Sequence, residues 1–124
     1  LQRVKRLEKA GFIECYRARI NIGKLTESVM IFTEVTLSDH RKDDFQKFER
    51  EIRKIDNLQE MHLISGGYDY LLKFTVRNML HYQDIISDVL EKNIGVSKYF
   101  SYIVIQTLLD RGYVPIKALT RKDI

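Results

Sequence analysis

Few residues of this 124-residue chain stand where they could do chemistry, and most fall in one stretch, Ser65-Gly66-Gly67-Tyr68-Asp69-Tyr70-Leu71-Leu72-Lys73. Adjacent glycines leave backbone N–H groups uncovered, and such a run can offer them to an anion. Asp69 and Tyr68 would then stand at the lip of the site. The plainer reading of the same residues is a tight hairpin turn between two apolar runs, for which glycine supplies the backbone freedom. Other chemistry finds little support. His40, His62 and His81 fall in a loop, a strand and a helix start, without metal-ligand spacing. No phosphate-cradling Gly-x-x-x-x-Gly-Lys run and no nucleophile elbow occurs. Cys15 is the one cysteine, so an internal disulfide is excluded. A free thiol suits a reducing compartment, and Cys15 reads as a small half-buried residue rather than a nucleophile. Tyrosines 68, 70, 82, 99, 102 and 113 read mostly as sheet residues that pack. The expectation is a protein without catalytic residues, metal or cofactor.

The charge is placed unevenly. Residues 1–20 hold Arg3, Lys5, Arg6, Lys9, Arg17 and Arg19 against Glu8 and Glu14, which accounts for the whole net charge of +4. A basic end on a neutral body is the footprint of polyanion binding, with a solvated helix face as the alternative. No apolar run approaches the roughly 20 residues of a membrane span. No basic-then-apolar leader is visible either, so the expected location is the cytoplasm.

Several elements must position the Gly-Gly stretch. Leu1, Val4 and Leu7 repeat at helical spacing up to Gly11, with Gln2, Arg3, Lys5, Arg6 and Lys9 on the opposite side. The chain begins inside this pattern, which suggests a truncated helix. Residues 12–22 read as a short strand or an extended connector, with a boundary to the main body at residues 23–28. Val29 to Leu37 alternates as a strand. Phe45, Phe48, Ile52 and Ile55 fit an amphipathic helix with Asp43 and Asp44 near its positive end. Leu58 to Ile64 and Tyr68 to Val76 form the hairpin. Asn78 is a good N-cap for a helix whose buried stripe is Tyr82, Ile85, Ile86, Val89 and Leu90. Asn93 and Gly95 end that helix. Val96 to Leu108 reads as a long last strand, and Gly112 to Leu119 as one more short strand, with Pro115 marking it as an edge.

The order is β-α-β-β-α-β plus a tail. It predicts an α+β, ferredoxin-like domain with two helices on one face of an antiparallel sheet. The strands are apolar on both faces: Met30 and Phe32 oppose Val29 and Ile31, and Leu71 opposes Leu72. Two helices cover one face only. A large bare apolar face is unusual on a soluble monomer, so a homodimer closed sheet against sheet is expected.

The segment His62-Leu63-Ile64-Ser65-Gly66-Gly67-Tyr68-Asp69-Tyr70-Leu71-Leu72-Lys73 resembles the effector-domain signature of the leucine-responsive/AsnC (Lrp/AsnC, feast/famine) family of transcriptional regulators. Residues 1–18 are similar to the end of that family's recognition helix and the connector after it. Residues 32–37, 69–76 and 93–105 resemble its effector-domain strands. The resemblance implies a DNA-binding regulator whose residues 1–22 are the remnant of a helix-turn-helix and whose residues 23–124 form a ligand-sensing, oligomerising effector domain. It implies an amino acid as effector, bound between subunits, and a homodimer that assembles further into tetramers or octamers. It implies effector contacts at Gly66, Gly67, Tyr68, Asp69 and Tyr70, with His62 and Ser101 bordering the pocket. Gly67 stands where many members carry an acidic residue, which leaves fewer side-chain groups in this loop. For DNA, Arg3, Lys5, Arg6 and Lys9 suit backbone contacts and Gln2 a base edge. A recognition helix without its supporting helices should bind DNA weakly, without sequence preference, and with steep salt dependence. Two other readings stand beside this one. One is a ligand-sensing module that lacks DNA binding. The other is an enzyme on a dimeric α+β scaffold, which would need converging titratable groups where this chain offers Asp69, His62 and a few tyrosines.

Overall fold

Strict alternation governs the two central strands. In β1 (Val29–Leu37) the side chains of Ile31, Thr33, Val35 and Leu37 are buried, and in β3 (Tyr70–Val76) those of Tyr70, Leu72, Phe74 and Val76. Period two places each set on one face of the pleat. The structure, a computed structural model, describes residues 1–120. Around β1 and β3 stand β2 (Leu58–Leu63) and β4 (Val96–Ile103), giving one antiparallel sheet in the order β2-β3-β1-β4. Helices α2 (Lys42–Ile52) and α3 (Met79–Glu91) cross between strands and bury Phe48, Ile52, Tyr82, Ile86 and Val89 in the same core. This is the expected ferredoxin-like arrangement.

Local chemistry sets the helix ends. The Asn78 side chain accepts from the His81 N–H at 2.8 Å and caps α3. Asn93 (φ 52°) and Gly95 (φ 91°) turn the chain out of it. At the start of α2, Asp44 Oδ2 accepts from Arg41 N and Arg41 Nε, and that guanidinium holds the Asp44 carboxyl below its ordinary value. α2 stops at Ile52, three residues short of Ile55, which still packs on the core from the following turn. Leu90 lies at the margin of the buried stripe and is 42% exposed.

Four expectations need correction. First, β4 ends at Ile103 rather than Leu108. Ile103 pairs with Ile31, and one further bond runs from Val104 N to Met30 O at 2.9 Å. β1 begins at Val29, so the partner runs out there. Second, residues 112–119 form no strand. Pro115 precedes the short helix α4 (Ile116–Leu119). Proline lacks the N–H that a ladder needs, and its fixed φ suits a helix start. Third, the β2–β3 connection is not a tight glycine turn. Residues 64–69 separate the strands, and neither Gly66 nor Gly67 has positive φ. Fourth, Cys15 is exposed, not half-buried.

At the N-terminus, α1 (Gln2–Lys9) buries no residue. Its end is a Schellman turn: Phe12 N donates to Leu7 O, Gly11 N donates to Glu8 O, and Gly11 takes φ +82°. Residues 13–21 form a connector without helix or strand, followed by a single 3-10 turn at Ile22–Lys24. Among the described residues, no helix is long and apolar enough to cross a membrane.

Candidate functional site

The Gly-Gly loop is held at its base and bare at its crown. Ile64 N donates to Asp69 O at 2.8 Å, and Asp69 N donates to Val35 O at 3.0 Å, so both ends are tied to the sheet. The Asp69 carboxylate completes the anchor. Its Oδ2 accepts from Leu37 N at 2.7 Å and lies 2.9 Å from His40 Nε2. His40 in turn packs at a tilt against Phe45, whose ring meets Tyr70 edge-on. Between these ties, no acceptor among the described residues takes the N–H groups of Ser65, Gly66, Gly67 or Tyr68. A Cβ at Gly67 would touch nothing within 4 Å, and one at Gly66 would only reach Ile64 at 3.8 Å. Glycine here is required neither by backbone conformation nor by neighbours within the chain. What it leaves is an uncovered run of donors, which suits an approaching carboxylate.

The other predicted residues do not converge on that loop. Tyr70 lies in the core, because alternation puts it on the face of Leu72 and Phe74. Its ring packs 4.7 Å from that of Phe48, and its hydroxyl donates to Glu49 Oε2 at 2.6 Å. Burial, then the Glu49 hydrogen bond, push its pKa well above the ordinary tyrosine value. Tyr70 therefore supports the loop from below rather than fronting it. His62 pairs with Leu71 on the helix-free face, 2.9 Å from Glu60 Oε1. Ser101 pairs with Thr33 and so faces the helices. Within one chain, His62 and Ser101 lie on opposite faces of the sheet and on its opposite edge strands.

Ser101 belongs to a second feature. Its Oγ lies 2.5 Å from the Tyr82 hydroxyl, which lies 2.7 Å from Oγ1 of the buried Thr33. Tyr82 and Ser101 of this chain of hydroxyls line an open groove of about 400 Å³ that is walled by Gln83 and Ser87 of α3 and Tyr99 of β4. Burial raises the Tyr82 pKa, against the lowering effect of its two hydroxyl partners. The gap in the core itself, under Phe48 and Ile86, is only about 10 Å³, too small for an amino acid.

On α1, Gln2, Lys5, Arg6 and Lys9 share one exposed face around a shallow concavity of about 270 Å³. Their 3- and 4-residue spacings make that face. Arg3 lies to its flank. Among the described residues, no three His, Cys, Asp or Glu side chains gather as a metal site would require.

Sequence reasoning missed His40, Glu49 and Tyr82. His40 and Asp69 meet only because β1 and β3 are neighbours, and no local pattern carries that. Tyr82 belongs to the predicted buried stripe, where its ring does sit, but its hydroxyl partners come from two strands.

A family model described as the Lrp/AsnC ligand binding domain matches residues 30–114. The leucine-responsive regulatory proteins of Escherichia coli K12 and Salmonella typhimurium are each 37% identical over 117 residues, covering 94% of this chain and 71% of theirs. An AsnC family transcriptional regulator from Agrobacterium tumefaciens has a similar fold, with a TM-score of 0.87 at 18% identity, covering 96% of this chain and 77% of that one. A Neisseria meningitidis transcriptional regulator in complex with L-Met superposes with a TM-score of 0.86 at 24% identity, over the same shares of the two chains. A feast or famine regulatory protein from M. tuberculosis complexed with L-methionine gives 0.71 at 24% identity, covering 91% of this chain and 75% of that one.

Proposed function

The chain belongs to the Lrp/AsnC family of transcriptional regulators, and on that premise we propose that an amino acid is its effector, bound at the loop of residues 64–69. The observation that carries this reading is the row of free N–H donors from Ser65 to Tyr68 over a loop whose glycines expose them. The effector's carboxylate accepts from these donors, and Gly66 and Gly67 let it approach the backbone. Tyr68, half-buried beside them, borders the site. Asp69 and Tyr70 act as positioning residues, because their polar atoms are already engaged by Leu37, His40 and Glu49. His62 and Ser101 join the same effector only where different subunits meet. The L-Met complexes of two structural relatives support an amino acid as the ligand class.

Residues 23–124 act as the sensing and oligomerising unit, and residues 1–22 as part of the DNA-contacting unit. The helix-free face of the sheet closes against a second copy. Effector binding between subunits then shifts the balance of assemblies, to the extent that its affinity differs between them. The exposed basic face of α1 meets DNA phosphates, and its binding weakens steeply with salt.

The test is a thermal-shift screen of the twenty amino acids on the wild type and on Gly67→Val. An effector at about one hundred times its dissociation constant adds about 2.7 kcal/mol of stability. The expected result is a hit whose shift Gly67→Val removes while the unliganded melting temperature holds, since the site has room for the side chain. A hit unaffected by Gly67→Val, or no hit, contradicts this reading.

A further inference from the structure

Two segments outside the sheet meet at one point. In the connector, Arg19 Nη2 lies 3.2 Å from Oδ2 of Asp110, in the tail after β4. The other oxygen of Asp110 accepts from the Gly112 N–H at 3.0 Å, so the tail's own turn fixes the carboxylate while it faces Arg19. Gly112 takes φ +69°, and a Cβ built there would collide with Arg19 Nη1. The left-handed backbone calls for glycine here, and a Cβ would have to displace the Arg19 guanidinium from its place beside the turn.

Both segments continue into larger parts of the molecule. Upstream of Arg19, the Tyr16 hydroxyl donates to Glu8 Oε1 at 2.6 Å and folds the connector back on α1. Upstream of Asp110, the tail is rooted where Val104 N donates to Met30 O, beside the Phe32–Tyr102 pair of the helix-free face. A line of contacts therefore runs from β1 and β4 through the tail and connector to the basic helix.

We propose that residues 104–112 act as a strap: through Asp110 and Gly112 they hold Arg19, and so set the posture of α1 relative to the sheet. Whatever covers the helix-free face sits beside the strap's root, so assembly there is felt at α1. The use of this posture in DNA binding rests on the function proposed above. The strap itself does not depend on it.

Chymotrypsin reports the strap directly, because Phe12 and Tyr16 lie between α1 and the held Arg19 and are exposed. Cleavage rates after these residues are measured without DNA. An exposed ion pair shifts an opening equilibrium by about two- to fivefold, so Asp110→Arg and Arg19→Asp should each speed cleavage by that factor. The double variant Arg19→Asp/Asp110→Arg should return toward the wild-type rate. Gly112→Ala should match the single variants and add nothing to Arg19→Asp. Concentrated NaCl should speed the wild type and leave Arg19→Asp unchanged. Unchanged rates in the single variants overturn the strap, as does a double variant whose increases multiply. Restoration found only on mixing the two single variants places the pair between copies and overturns it equally.

Discussion

The two faces of the one sheet have different fates. On the helix face, Ile31, Val35, Leu72, Phe74 and Val76 are buried within the chain. On the other face, Met30, Phe32 and Leu71 are only half-covered, and Phe100 and Tyr102 are 54% and 51% exposed. Both faces carry large apolar side chains, yet one is closed by α2 and α3 and the other by nothing among the described residues. The helix face makes the fold, and the open face is the one on which the proposed assembly rests. Charge marks the same division. Glu60 Oε2 pairs with Lys73 Nζ at 3.1 Å and Glu60 Oε1 with His62, all on the open side.

The largest expected effect lies on the closed face. Phe74→Ala should cost about 3–5 kcal/mol of folding stability, measured by urea denaturation, because a fully buried ring leaves a cavity. Phe32→Glu should do the reverse. Its position is half-covered, with Lys73 as the paired residue on β3, so the fold should survive. Association should weaken by about 2 kcal/mol or more, the scale of an aromatic anchor in an interface. Light scattering on a sizing column checks this, and an unchanged mass would break the division between faces. Tyr82→Phe should cost about 1–3 kcal/mol, because it leaves the buried Thr33 hydroxyl without its partner.

The smallest effect is the acid limb of the open face. His62 first, then Lys73, hold the Glu60 carboxyl below its ordinary value of 4.5. A carboxyl depressed in the folded state contributes stability above its unfolded pKa and loses it as the pH falls through the folded value. Stability should thus decline slightly on acidification below 4.5, and Glu60→Gln should flatten that limb in melting curves taken across pH.

The sheet and its helices could be read from local pattern, since β1, β3 and α3 carry their own period and Asn78 its own cap. The end of β4 could not, because it is set by where β1 begins, a residue far off in sequence. Residues 112–119 misled for a similar reason: Tyr113, Val114 and Ile116 look strand-like, but a strand exists only beside a partner. The loop was found through Gly66, Gly67 and Asp69, while the division of labour within it was not. Alternation with Leu72 and Phe74 already put Tyr70 inside, and the meeting of Asp69 with His40 depends on strand order. His62 and Ser101 show the limit most plainly, since register alone decides that they face opposite ways.

The central claim is that the bare donors of the loop receive the effector. The most direct measurement is the set of backbone amide resonances of the nitrogen-15-labelled chain as an amino acid is titrated in. The account predicts that Ser65, Gly66, Gly67 and Tyr68 shift first and furthest, saturating together. Shifts centred on Tyr99 and Ser101 of the α3–β4 groove, with the loop unmoved, would contradict it.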